Sequence, residues 1–168
     1  MIKEKNNEVF EKDYFKDLQE IKEAIRTNQN KAMVIVNSAM IMTYYEIGTI
    51  INKRKTWGSK YIKNLANDLK YYGKGYSERN LQRMVFFSKT FKKYEILPQV
   101  GAQIPWRTLY DIISKADSKE FILWYINETH KNGWSRSMVL NQIAMASYER
   151  SLIKPTTSNI TKSDDLTN

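Results

Sequence analysis

Turn punctuation is scarce in this chain: only six glycines and three prolines occur in 168 residues. A many-stranded sheet needs a turn every few residues, whereas long helices do not, so the scarcity points to an all-α fold. The most apolar stretch, KAMVIVNSAMIMTYYEIGTIINKRK (about residues 31–54), carries β-branched residues that fit a strand. No Gly or Pro interrupts Lys31 to Ile47, however, and that length decides for a helix. Its apolar residues run nearly all the way round, so it is expected to be central and packed on several sides. Ahead of it, Phe10, Tyr14, Leu18, Ile21 and Ile25 are spaced by 4, 4, 3 and 4. That spacing predicts a separate amphipathic helix over about 7–28, with those residues facing the core.

The remaining boundaries come from capping chemistry. Ser59 caps a third helix to about Tyr72, with Ile62, Leu65, Leu69 and Tyr72 at helical spacing, and Gly73-Lys74-Gly75 breaks it. Ser77 caps a fourth helix to about Phe91, with Leu81, Met84, Val85 and Phe91 inward. Leu97-Pro98 through Ile104-Pro105 reads as an extended connector, because proline disfavours helix in the residue before it. A fifth helix over about 106–115 contributes Leu109, Ile112 and Ile113. Asp117 and Glu120 form a capping box for a sixth, to about His130. Gly133-Trp134 ends that helix, and Ser135 caps a seventh, to about Glu149. The expectation is therefore a multi-helix bundle of about seven helices in one domain, 1–150. The polar segment 151–168 is expected to be a disordered tail or the start of a linker. GYSERNLQRM and GWSRSMVLNQI share a Gly–aromatic–Ser–helix pattern, which reads as two good helix starts rather than as a repeat.

Charge is distributed unevenly along this scaffold. Lys53 to Lys93 contains twelve basic residues and two acids, Asp68 and Glu78, for a net charge of +10. The rest of the chain is close to neutral, and the whole carries +9. Basic charge confined to adjacent helices attracts a polyanion, which points to nucleic acid, DNA ahead of RNA. Ser59 to Phe91 has the outline of a helix-turn-helix: a short helix, a glycine-containing connection, then a longer helix. In such a unit the first turn of the second helix meets base edges in the major groove. Arg79, Asn80, Gln82 and Arg83 are the candidates there, since their forked or amide ends match guanine and adenine. Lys60, Lys63, Lys70, Lys74, Lys89, Lys92 and Lys93 suit phosphates, as does the helix start at Ser77. Tyr71, Tyr72 and Tyr76 lie between lysines and suit stacking, with Tyr72 expected to pack instead.

Catalytic constellations are thin. Cysteine is absent and His130 is the single histidine, so thiolate chemistry is excluded and neither a zinc site nor any cofactor is expected. His130 reads as a helix-end residue. Glu20-Ile21-Lys22 has the E-x-K form of PD-(D/E)xK nucleases, but it sits in an amphipathic helix rather than on a strand, with Ile21 facing the core. Glu46, amid apolar residues, is expected to be exposed or paired. Lack of cysteine, of a signal core and of any apolar run longer than the six residues Phe121–Ile126 reads as cytoplasmic, with no membrane partner.

The blocks VNSAMIMTYYEIGTII, WGSKYIKNLANDLK, GYSERNLQRMVFF, PQVGAQIPW and NGWSRSMVLNQI with ASYER, in order, resemble the N-terminal domain of the bacterial YhcG family. That resemblance implies an all-α, DNA-binding domain in proteins that also carry a C-terminal PD-(D/E)xK nuclease-like domain, linked to DNA cleavage or genome defence. It carries over to the Ser77–Arg83 and Trp57–Lys60 blocks only. It stops after Arg150, so the expectation is a stand-alone recognition domain or a truncated relative that is not an enzyme. The rival reading is a protein-interaction module that forms a homodimer or docks a separate nuclease or modification subunit.

Overall fold

The computed structural model describes residues 2–54, 58 and 60–153, with side chains from Asn7 onward. Among these, eight α-helices and two single 3-10 turns appear, and no strand. Helix α1 runs from Ile2 to Asn52. After it come α2 (Tyr61–Asp68), the 3-10 turns Lys70–Tyr72 and Lys74–Tyr76, and α3 (Glu78–Lys93). Helices α4 (Pro98–Gly101), α5 (Trp106–Lys115), α6 (Lys119–Asn132), α7 (Arg136–Ala144) and α8 (Ser147–Ser151) complete the body.

The first two expected helices are one. Thr27 to Lys31 is polar but holds no Gly or Pro, and polarity alone does not end a helix. The expected packing of the first segment is also overturned: Phe10, Tyr14, Ile21 and Ile25 are exposed, as are Met33 to Val36. Only from Asn37 onward does α1 join the body, and there it is buried along one side, at Ile41, Tyr44, Gly48 and Ile51, rather than all round. An 18-residue window of α1 has a mean hydropathy of 1.4, enough by length and composition to cross a membrane, a property that a soluble core helix shares.

Helices α1 and α3 cross at very close range. A Cβ placed on Gly48 would lie 2.0 Å from the Met84 carbonyl oxygen and 2.9 Å from Ser88 Oγ. Around that crossing the Asn52 amide donates to Val85 O (3.1 Å) and Ser88 Oγ (2.6 Å). Farther up α1, the Asn37 amide donates to Ala102 O (2.5 Å) and Ile104 O (2.8 Å). Tyr44 and Phe87 each meet the Trp106 ring edge-on at 4.9 Å, so α1, α3 and α5 share one aromatic cluster. The core continues through Leu81, Met84, Leu109, Ile112, Ile122, Tyr125 and Ile126, all fully buried.

Helix starts follow their caps. Ser77 Oγ accepts from Asn80 N (3.2 Å), and Ser135 Oγ from Met138 N (3.3 Å), as expected. The sixth helix is capped by Ser118, which accepts from Phe121 N (3.2 Å), not by Asp117. Gly133 closes α6 in the left-handed region (φ 61°). Two further corrections concern the loops. The connector before Pro105 is not extended throughout, because Pro98 sits in the first turn of α4, where a missing N–H costs nothing. The expected seventh helix is divided at Ala146 (φ 53°) into α7 and α8. Tyr125 Oη holds both pieces, donating to Gln142 O (3.1 Å) and accepting from Tyr148 N (3.3 Å). Of the expected tail, residues 154–168 lie outside the described residues, as does Ser59.

Gly48→Ala should lower stability by about 3 kcal/mol or more, since backbone cannot yield as a side chain does, read as a drop in urea midpoint at constant slope. Gly58→Ala, with nothing within 4 Å, should stay within ~0.5 kcal/mol.

Candidate nucleic-acid interface

Helix α3 presents two different faces. Leu81, Met84, Val85, Ser88 and Phe91 are buried against α1 and the aromatic cluster. Arg79, Gln82, Phe86, Lys89, Lys92 and Lys93 are exposed, and Arg83 is half-buried with its guanidinium carbon 4.9 Å from the centre of the Tyr110 ring. Among the exposed groups, Arg79, Gln82, Phe86, Lys89 and Lys93 recur at intervals of three and four, one face of a helix.

An open groove of about 640 Å³ separates α2 from the start of α3. Lys63 and Lys70 line one side and Lys74 the turn, and the groove reaches Ser77 and Glu78, where the α3 backbone N–H groups begin. Asn64 and Asn67 line the same groove and were not among the expected candidates. Their spacing to Lys63 is the signal: steps of one, three and four residues put Lys63, Asn64 and Asn67 on one side of the short helix, and Lys70 follows in the 3-10 turn beyond it. A smaller groove on the far side of α3 is lined by Phe86, Lys89, Lys93 and Ser114. Lys60 and Lys92 are exposed but line neither groove.

Among the described residues, none of these lysines has a carboxylate within ion-pair distance; the ion pairs are Arg26–Glu23 and Arg136–Asp111. Asp68 and Glu78 are exposed and neutralise none of them. Lys93 lies over the Tyr94 ring at 4.9 Å, and Arg54 over Tyr61 at 5.2 Å.

Two expected assignments change. Asn80 is not free to meet a base. Its amide nitrogen donates to Gly75 O, and its amide oxygen accepts from Trp106 Nε1 at 3.0 Å. The residue ties the turn, the α3 start and the α5 start together. Tyr72 does not pack: it is 79% exposed and Tyr71 is 96% exposed, because the backbone tightens to 3-10 after Leu69 and leaves the helical register. Tyr76 is half-buried, edge-on to Tyr44. Burial raises the Tyr44 hydroxyl above its ordinary pKa, the Tyr76 hydroxyl adds to the rise, and the Asn80 amide works against it. Glu46 is exposed and His130 lies in the last turn of α6, matching the expectation for each. The Glu20-Ile21-Lys22 triplet lies on α1, with Ile21 exposed rather than in the core. No cluster of three or more His, Cys, Asp or Glu side chains occurs among the described residues.

A family model described as the DUF1016 N-terminal domain matches residues 20–150. The Escherichia coli (strain K12) protein named "Putative nuclease YhcG" is 31% identical, in a match covering 70% of this chain and 41% of that protein. The chain therefore spans about two fifths of that relative's length. No solved structure matches.

Asn80→Ala should destabilise the fold by about 1–3 kcal/mol, because it leaves the buried Trp106 N–H without an acceptor. Denaturant melts monitored by Trp fluorescence measure this. Gln82→Ala, on the exposed face, should be near neutral in the same assay.

Proposed function

Because this chain belongs to the DUF1016 N-terminal domain family, we propose that it is a DNA-recognition domain acting beside a nuclease activity, in DNA cleavage or genome defence. The observation that carries the reading is the run of lysines and arginines on α2, the turns and α3, left without ion-pair partners, of which Lys63, Lys70 and Lys74 line an open groove. Uncompensated cations on a rigid surface gain from meeting phosphates, since each contact releases condensed counterions.

In this reading α2, the paired 3-10 turns and α3 form a helix-turn-helix-like unit. α3, about 24 Å long, enters the major groove of double-stranded DNA, end first. Arg79 and Gln82 reach base edges. Arg83 is steadied by Tyr110 and reaches them with less freedom to lose. Lys60, Lys63, Lys70, Lys74, Lys89, Lys92 and Lys93 hold phosphates, and the Ser77 helix start offers backbone N–H groups to another. Asn64 and Asn67 join the phosphate side. A nuclease is named only in the relative, of which this chain matches 41%. We assign this chain recognition, not cutting, and a place in the cytoplasm with the genome.

Titration against duplex DNA across salt tests this. Log affinity should fall with log salt by about 0.9 per phosphate contacted. Arg79→Ala should cost roughly 1–3 kcal/mol on a preferred site and little elsewhere. Lys63→Ala should weaken all sequences alike and flatten the salt slope by about one contact. Salt-independent binding, or no effect from either substitution, overturns the assignment. Pure protein incubated with supercoiled plasmid and Mg²⁺ or Mn²⁺ should leave it uncut; reproducible nicking that copurifies with the protein overturns the division of labour.

A further inference from the structure

The face of α1 turned away from the body carries a second pattern. Tyr14, Leu18, Ile21, Ile25, Ala32 and Ile35 fall on alternating steps of four and three, with Asn28 at the one intervening position and Ala39 at the next. At 100° per residue these positions lie within about 60° of the Ala32 direction, and the buried side formed by Ile41, Tyr44, Gly48 and Ile51 lies roughly 140° round from it. The body therefore does not obstruct the stripe. Four of its five large members are open in the single chain, Tyr14 57%, Ile21 56%, Ile25 52% and Ile35 69%, and Leu18 is half-buried.

We propose that this stripe is the seam of a parallel, two-stranded coiled coil with a second copy of this chain. The alternating spacing is the heptad pattern that two helices satisfy by burying the same positions on each other. Asn28, at a d-type position of the seam, meets its own counterpart in an in-register parallel pair, whereas a shifted alignment would set its amide against apolar side chains. The flanking positions are complementary as well. Asp17 falls opposite Lys22 of the other copy, and Phe10 opposite Phe15. Phe10, Phe15 and Val36 widen the strip, and about eight side chains at roughly 100 Å² each approach the ~800 Å² per partner of a standard interface. Glu46 lies on the same face farther down and is exposed; two copies of it repel, so the seam ends near Ala39 and the bodies part there.

A second copy fits better than a lipid surface or DNA. Between Asn7 and Lys31 there are six acidic and five basic side chains, without the lysine and arginine excess that binds anionic headgroups or phosphates. The inference stands apart from DNA recognition, and the failure of either leaves the other in place.

Sedimentation equilibrium on the whole chain tests it. The expected result is twice the chain mass at micromolar concentration. Ile21→Glu with Ile25→Glu should give a monomer whose near-UV spectrum and thermal midpoint for the body are unchanged, because neither residue touches the core. Tyr14→Cys, in a chain without other cysteines, should oxidise to a covalent dimer that forms in dilute solution. A monomer at 100 µM, a dimer indifferent to the paired glutamates, or no Tyr14→Cys cross-link overturns the proposal. So does a monomer that floats with phosphatidylglycerol vesicles and loses that ability on the same substitutions.

Discussion

The close crossing of α1 and α3 at Gly48 is the contact on which the other arrangements depend. A helix pair separated by ordinary side chains keeps its axes about 8–10 Å apart. With no side chain at Gly48, backbone meets the Met84 carbonyl directly, and any Cβ there collides. That approach brings the Asn52 amide within reach of Val85 and Ser88. It also lets Tyr44 and Phe87 meet Trp106 from two sides. Each of these contacts fixes α3 in rotation as well as position, so the direction of its outer face is settled by packing within the body.

The consequence for the outer face is electrostatic. A helix whose inner side is committed to Leu81, Met84, Val85 and Phe91 presents Glu78, Arg79, Gln82, Phe86, Lys89, Lys92 and Lys93 outward, with Arg83 half-buried beside them. Asn80 reinforces this from the start of the helix. It joins the turn at Gly75 to the indole of Trp106, so the groove holding Lys63, Lys70 and Lys74 is tied to the same core that orients α3. Rigid placement matters for unpaired cations, because a lysine held on a stiff frame loses less freedom on meeting a phosphate than one on a loop.

Helix type and most boundaries were legible because they rest on local chemistry: Ser77 and Ser135 cap, Gly133 adopts the left-handed end, and proline-free apolar periodicity marks α3 and α5. What was not legible depends on chain distant in sequence. The periodicity of Phe10 to Ile25 was correctly a helix face, yet nothing local tells whether a face meets this chain's core or solvent, and here it meets solvent. The absence of Gly and Pro throughout the first 47 residues was a signal for continuity across Thr27 to Lys31 that the expected split into two helices did not use. Asn80 looked like a base reader because its amide geometry suits adenine; the same geometry suits Gly75 and Trp106, twenty-six residues on. Tyr72 kept helical spacing past Asp68, but the chain had already tightened to 3-10. Asp117 and Ser118 are adjacent residues of equal capping ability, and only the backbone path separates them.

Charge and apolar surface are partitioned along the chain in a way that one task does not explain. The free part of α1 is nearly neutral and apolar on the side away from the body, while the excess positive charge begins at Lys53, where α1 ends. Were the apolar stripe a stray part of a DNA-binding surface, lysines would be expected among its residues, as they are on α2 and α3. Were the lysines merely for solubility, the exposed isoleucines and tyrosines of α1 would be the first places to need them. The segregation is consistent with two surfaces serving different ligands, joined by a single stiff helix. In that arrangement, pairing through α1 would set the distance between two copies of α3 without competing for their cationic face.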